Sequence, residues 1–540
     1  MKTILVYILL IAMISAVSCT KLNDQSYGQV MSEKYNPETE AQVSYLVNAA
    51  YVPWRETMLQ WNGVVRAQEL CADQDVLPAR PNGWVDGGIY KRWHLHTWTT
   101  NDDSALQSWT RTYSGINTCN RLLSQIDDGM INVQGEIREN LLAELKVLRA
   151  SYYYILVDLY GNVPIVTDFK DVSLPKQSTR REVFDFIVKE IHENIDKLSE
   201  TARGYYYGRI NKWVAHTLLA KMYLNAEAWT GMPKWEETID ACNMVIDFAS
   251  SSGEYALEAN QKDVFRTDNE HAKEIIFALP FDEIYVTDWN AFDFHLYTLA
   301  PESQETYNFM NTPWGGVCAI PQFINSFDED DIRLKENFIQ GQQYAASGEI
   351  LRRSDNNQPF EYVNDVASID KSDINSGYRW GKFEYASNIT DRLSNDFPVF
   401  RYADILLMKA EALLRSNQPG AGALVSLVRE RAFKENPSKA IVTDDQLREG
   451  SIYDYGLRNE NQTTYEGGDD IPYGRMLDEL GWEFTQEGRR RQDMIRFGVF
   501  STKSWFSHAA TNDRNRDLYP IPNTVRLTNS NLDQNPGYPF

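Results

Sequence analysis

Residues 143–166, "AELKVLRASYYYILVDLYGNVPIV", hold four tyrosines, Tyr152, Tyr153, Tyr154 and Tyr160, just ahead of a Gly and a Pro. Such a stretch can be an aromatic platform for sugars, the wall of an enzyme cleft or the buried face of a helix. Leu145, Leu148, Tyr152, Ile155 and Leu159 recur at three- and four-residue steps, which places them on one helix face. Glu144, Arg149 and Asp158 fall largely elsewhere. The spacing predicts an amphipathic helix that Gly161 and Pro164 bring to an end.

Similar patterns flank it. "TRREVFDFIVKEIHENIDKL" (179–198) opens on Thr179 with Glu182 three residues on, a capping box. "NKWVAHTLLAKMYLNAEAW" (211–229) and "KWEETIDACNMVIDFA" (234–249) follow after short connections. A helical pair is expected from Pro398 to Ala432 and one further helix from Met476 to Phe497. Helices in close succession, with small residues in "AHTLLAKMYLNAE" and "ILLMKAEALLRSNQPGAGALVSLVRERA", are the layout of stacked helix–turn–helix pairs of tetratricopeptide type. Residues 251–396 break the rhythm: they are rich in Asp, Asn, Gly, Pro and aromatics, with "KEIIFALPF" and "YRWGKFEYA" as short strands. A shorter irregular insert lies near 71–103. The expected fold is mostly α, and long irregular segments on such a scaffold tend to carry function.

The chain of 540 residues is globular in composition, with 12% aromatic and 24% charged residues. Its net charge of −23 argues against nucleic acid and against adsorption to anionic membranes. At the N-terminus, Lys2 precedes an apolar run from Ile4 to Val17 that is too short to span a bilayer and reads as a signal peptide over residues 1–18. Ala16-Val17-Ser18-Cys19 matches the bacterial lipobox, which makes Cys19 the lipid anchor and 19–40 a tether into one domain over 41–540; the plainer reading is an ordinary signal peptide with Cys19 incidental. Cys71, Cys119, Cys242 and Cys318 are widely spaced, which disfavours zinc and suits buried free thiols.

No HExxH, GxSxG, Walker loop or dinucleotide fingerprint occurs, so no enzyme class, metal or cofactor is indicated. His94 and His96 would share a face on a strand, but ordinary polar residues fit them better. "DEDDIR" (328–333) lacks EF-hand spacing and reads as a solvated acidic turn. In "EFTQEGRRRQDMIRFG" (483–498), Arg489, Arg490, Arg491 and Arg496 are expected to pair with carboxylates of the acidic body.

The informative feature is the aromatic density of the irregular segments. Phe281, Tyr285, Trp289, Phe292, Phe294, Tyr297, Tyr307, Phe309 and Trp314 lie in one stretch without helical period; Trp84, Tyr90, Trp93 and Trp98 lie in the earlier insert, near Arg80, Asn82 and Asp86. Aromatics with polar neighbours in loops mark recognition surfaces, while each ring taken singly is more often a loop anchor. The expected ligand site unites Trp84, Tyr90 and Trp93 with Trp289, Tyr297 and Trp314 as a shallow platform, with Arg80, Asn82 and Asp86 hydrogen-bonding at its edge.

The lipobox, the opening stretch, "GRINKWVAHTLLAKMYLNAEAW", "FPVFRYADILLMKAEALLRS", "WEFTQEGRRRQDMIRFG" and "LYPIPNTVRLTNSNLDQNPGY", in that order over nearly the whole mature chain, resemble the SusD/RagB family of outer-membrane nutrient-binding lipoproteins. The resemblance implies four tetratricopeptide-like helix pairs with the ligand site in the loop-rich other half. It implies a lipid-anchored protein on the outer membrane, facing the cell exterior. Such a protein captures oligosaccharides, or in some members peptides, for a SusC-like TonB-dependent transporter, without chemistry. A surface glycoside hydrolase is the third reading. The family signatures are structural, so no ligand residue carries over from them.

Overall fold

The computed structural model describes residues 36–60, 62–81, 83–286 and 292–539. The signal peptide, Cys19, most of the tether, Asn82 and Trp289 lie outside the described residues.

Eight helices form the scaffold: α1 (Glu40–Leu59), α2 (Asp103–Asp127), α3 (Gly135–Leu159), α4 (Arg180–Asn194), α5 (Lys212–Leu224), α6 (Trp235–Ser252), α7 (Tyr402–Arg415) and α8 (Ala421–Arg429). They pack as the pairs α1·α2, α3·α4, α5·α6 and α7·α8, and successive pairs touch through α2·α3, α4·α5 and α6·α7. The fold is mostly α, as the periodicity predicts. Among the described residues no helix is long and apolar enough to cross a membrane.

Helix α3 is the centre of this stack. Leu145, Leu148, Tyr152, Ile155 and Leu159 are all buried, and so are Tyr153 and Tyr160. The Tyr152 hydroxyl donates to the Ala50 carbonyl of α1 at 2.7 Å. Its ring lies on Gly115 of α2, where an added Cβ would sit 2.3 Å from the Tyr152 Cζ. Gly161 then takes a left-handed φ of 71° and the chain leaves through the strand Val163–Pro164. Thr179 and Glu182 form the expected capping box on α4.

Two strand pairs tie the irregular segments down. β1 (Asp75–Val76) pairs antiparallel with β3 (Cys318–Ala319), and β2 (Ile275–Leu279) with β4 (Phe397–Arg401), the latter with bulges. The single helix expected from Met476 to Phe497 is two, α9 (Gly474–Phe484) and α10 (Arg490–Arg496). Gln486 and Gly488 adopt φ of 67° and 75° between them, a turn that helical periodicity on both sides conceals.

That turn delivers charge into the core. Arg489 pairs with Asp404 and Asp493, Arg490 with Asp73, Arg491 with Asp158, and Arg496 with Glu411 and Asp493. The acidic turn at 328–331 is neutralised by neighbours: Asp328 and Asp330 both meet Lys439, at 2.7 and 2.8 Å, and Asp331 meets Arg333. Cys71, Cys119, Cys242 and Cys318 are buried free thiols.

His94 closes the short helix Ile89–His94 and is not on a strand. It packs with His96 and His508 in a buried cluster, the His96 and His508 ring centroids 4.2 Å apart. His96 Nε2 meets the Cys71 carbonyl and His508 Nδ1 the His94 carbonyl, both at 2.8 Å. Among the described residues no group of three His, Cys, Asp or Glu is placed to hold a metal. Burial lowers the pKa of His94 to about 4 and of His96 to about 3, and holds His508 well below its usual value. The folded protein thus keeps these rings neutral while the unfolded chain protonates them below pH ~6.5. They contribute stability that is present above that pH and lost as pH falls toward 4. Buried Asp396 and Asp478, both raised to about 6, act in the opposite sense. The His508→Gln variant isolates one histidine: its unfolding free energy, from denaturant titrations between pH 6.5 and 4.5, should depend less on pH than the parent's, by up to about 1.4 kcal/mol per pH unit. Parallel pH profiles would refute this account of the cluster.

Candidate functional site

The β1–β3 pairing brings the early insert against the long irregular segment. Arg80 completes the join: its guanidinium donates to the carbonyls of Gly315 (3.1 Å), Gly316 and Ser376 (2.8 Å) and to Cys318 Sγ (3.0 Å). Beyond it, Asp86, Gly87 and Gly88 take φ of 42°, 60° and 78°, turning the chain into the helix Ile89–His94. On the other side the Trp314 amide donates to the Leu296 carbonyl (2.8 Å) and the Val317 amide to that of Tyr297 (3.1 Å).

Of the expected rings, the five within the described residues do meet. Trp84 lies 5.0 Å from Tyr90, 5.6 Å from Tyr297 and 5.4 Å from Trp314, centroid to centroid, and Tyr90 lies 5.3 Å from Trp93. The geometry is mostly edge-to-face, the arrangement aromatic quadrupoles favour. Gly316 makes it possible, since a Cβ there would fall 2.4 Å from the Tyr297 carbonyl and 3.2 Å from the Trp84 ring.

Exposure differs from the expectation of a shallow platform. Among the described rings of the set, Tyr90, Trp93 and Tyr297 are buried, and only Trp84 and Trp314 are half-exposed, at the rim. Large rings stacked on edge cover one another, so the lower three pack inside. Arg80 is likewise buried beneath the rim with its donors directed at backbone and Cys318, not at an open edge. Asp86 is half-buried in the turn after Trp84. Phe281, Phe292, Phe294 and Phe309 are buried anchors, whereas Tyr285 is 83% exposed.

Residues without a sequence signal hold the floor. Arg66 lies over the Tyr297 ring at 4.4 Å and pairs with Asp293. Burial opposes its charge, but the Asp293 carboxylate outweighs that and holds the guanidinium above its ordinary pKa. Trp380 sits 5.6 Å from Tyr297 and donates through Nε1 to Asp75 at 2.6 Å. Burial, reinforced by Glu69, keeps the Asp75 carboxyl well above the carboxylate range. Trp93 Nε1 donates to Ser104 at 2.9 Å, at the start of α2. The one hint of this layer was "WGG" at 314–316, small residues where rings must approach.

Comparison with known proteins bears on the whole chain. Residues 273–538 match the model described as SusD family, and residues 28–224 the model described as starch-binding associating with outer membrane. The starch-binding protein SusD of Bacteroides thetaiotaomicron is 24% identical over 439 residues, 73% of this chain and 72% of that one. SusD-like protein P2 of Formosa agariphila is 23% identical over 98% of both chains. A solved SusD superfamily protein from Parabacteroides distasonis superposes with a TM-score of 0.69 at 19% identity, over 92% of this chain and 99% of that one. A solved laminarin-binding SusD-like protein gives 0.67 at 20%, over 93% and 100%. With both family models matched in order across the scaffold and the irregular half, the chain belongs to the SusD family.

Proposed function

We propose that the protein is a cell-surface receptor that binds an oligosaccharide at the Trp84–Trp314 rim and delivers it, unaltered, to a SusC-like TonB-dependent transporter. Cys19 serves as its lipid anchor on the outer membrane and 41–540 as its single domain. The carrying observation is the rim itself: two half-exposed tryptophans from two irregular segments, cross-linked by strand pairing and by Arg80, over a buried aromatic floor. Such rings offer flat faces to the C–H groups of a sugar, whose hydroxyls exchange water bonds for protein bonds at little net gain. The names of the starch- and laminarin-binding relatives support a glycan over a peptide. In this reading Trp84 and Trp314 touch the ligand, Asp86 and Asn82 lie at its edge, Trp289 joins from the neighbouring segment, and Tyr90, Trp93, Tyr297 and Arg80 hold the rim in shape.

Calorimetry with a glycan panel tests it. Trp84→Ala and Trp314→Ala should each weaken the cognate glycan by about 2 kcal/mol, roughly thirtyfold. Parental affinity in both folded variants would place the ligand elsewhere; binding of peptides but no glycan would make this a peptide receptor; turnover of the glycan would make it an enzyme.

A further inference from the structure

Helix α2 has a second face. Its inner side, with Ser108, Thr112, Gly115, Ile116 and Cys119, is buried against the scaffold. Thr110, Ser114, Asn117 and Arg121, at steps of four, three and four residues, form a line along the outer side. With Trp109, Tyr113, Phe169 and Val525 they line an open groove of about 490 Å³, within the range of small-ligand sites.

The groove is firmly built. The segment that carries Phe169 is fastened by Tyr113 Oη donating to the Pro164 carbonyl (2.8 Å), by Asn120 Nδ2 donating to that of Val166 (2.9 Å) and by the Lys170–Asp128 pair (2.7 Å). Phe169 nevertheless stays 49% exposed. The Trp109 and Tyr113 rings lie 4.9 Å apart behind it. The Thr110, Ser114 and Asn117 side chains are exposed.

Arg121 is the anomaly. In a chain of net charge −23, every other arginine among the described residues donates a hydrogen bond or forms an ion pair; Arg121 does neither. It lines the groove half-buried, with its fork of donors uncommitted. A guanidinium in that state matches a carboxylate, which it can hold through two parallel charge-assisted bonds.

We infer that this groove is a second glycan subsite, for a sugar ring that bears a carboxylate. Arg121 binds the carboxylate, Asn117, Ser114 and Thr110 take hydroxyls along the helix, and Phe169 covers the C–H face. The line of polar side chains beside an aromatic wall favours a sugar acid over an acidic peptide, which would present alternating apolar side chains. This inference rests on the reading of the protein as a glycan receptor.

The probes are oligosaccharides of galacturonate, glucuronate and mannuronate, each beside its methyl ester, titrated against the full chain and its Arg121→Gln, Phe169→Ala and Trp84→Ala variants. At least one acid should bind, its affinity falling about ten- to a hundredfold in Arg121→Gln and on esterification, weakening with salt, and unchanged in Trp84→Ala. Arg121 makes no internal bond, so its variant should fold. The inference is overturned if neutral glycans bind at the Trp84 rim while no acid binds. It is equally overturned if an acid depends on Trp84 and not on Arg121, or if an acidic peptide is what Arg121→Gln releases. If no glycan of either kind binds the parent, the receptor reading itself fails and takes this inference with it.

Discussion

Glu483→Gln lowers the unfolding free energy by about 3–5 kcal/mol at pH 7, the cost of removing one partner from a buried ion cluster. Glu483 is fully buried, with Arg401 and Arg431 at 2.8 and 2.7 Å from Oε1 and Arg333 at 3.0 Å from Oε2. These belong to one connected network in which Lys382, Arg333, Arg401, Arg429 and Arg431 face Glu274, Asp331, Glu479, Glu483 and Glu487. Charges balance, and the substitution leaves one cation in excess where water cannot screen it. Glutamine has nearly the shape of glutamate, so a cavity cannot account for the loss. Burial works against the Glu483 charge, but Arg431, Arg401 and Arg333 hold its carboxyl well below the usual value. A depressed carboxylate contributes stability that is present above the unfolded value near 4.3 and lost as pH falls through the folded one. The gap between parent and variant is therefore full at neutral pH and narrows below about pH 4. Denaturant unfolding at pH 7 and pH 4 measures both; equal midpoints at pH 7 would mean the network contributes nothing net.

That network explains what could and could not be read from residues alone. The existence and apolar face of helix α3, the Thr179 capping box and β2 were legible because local spacing fixes them; that α3 is not amphipathic was not, since Glu144, Arg149 and Asp158 are buried as well, paired with Arg209, Glu190 and Arg491. So was the pairing duty of Arg489, Arg490, Arg491 and Arg496, since a strongly acidic chain leaves few other uses for buried guanidinium. Their partners were not legible: Asp73, Asp158, Asp404 and Glu411 are distant in sequence, and only the stacked pairs bring them together. The break at Gln486–Gly488 was hidden because apolar period continues on both sides. In the candidate site, aromatic density foretold which two segments meet. It did not foretell exposure, because segments without a period give no face. Tyr90, Trp93 and Tyr297 therefore turned inward unannounced, and Arg80 proved to be the fastening and not the edge. Arg66, Asp293, Asp75 and Trp380 carried no local signal.

Tyr152→Ala should likewise cost roughly 3–5 kcal/mol, the range for deleting a large buried aromatic. Two interactions are lost together and differ in size. The hydroxyl bond to Ala50 is worth about 1 kcal/mol net, so Tyr152→Phe should be mild. The ring is the larger part: it fills the space above Gly115 and lies 5.8 Å from the Trp54 ring, and neither neighbour can collapse into the void because each is fixed in its own helix. Gly115→Ala perturbs the same contact from the other side, forcing a methyl into the Tyr152 ring, and should cost about 1–3 kcal/mol by overpacking. The pattern of Ala severe, Phe mild and Gly115→Ala intermediate is specific to a scaffold contact. Because α1, α2 and α3 meet there, away from the Trp84–Trp314 rim, affinity for a ligand of that rim should be unchanged per folded molecule in all three. If stability held and that affinity collapsed in Tyr152→Ala, the tyrosine-rich stretch would be a ligand surface after all and not a scaffold contact.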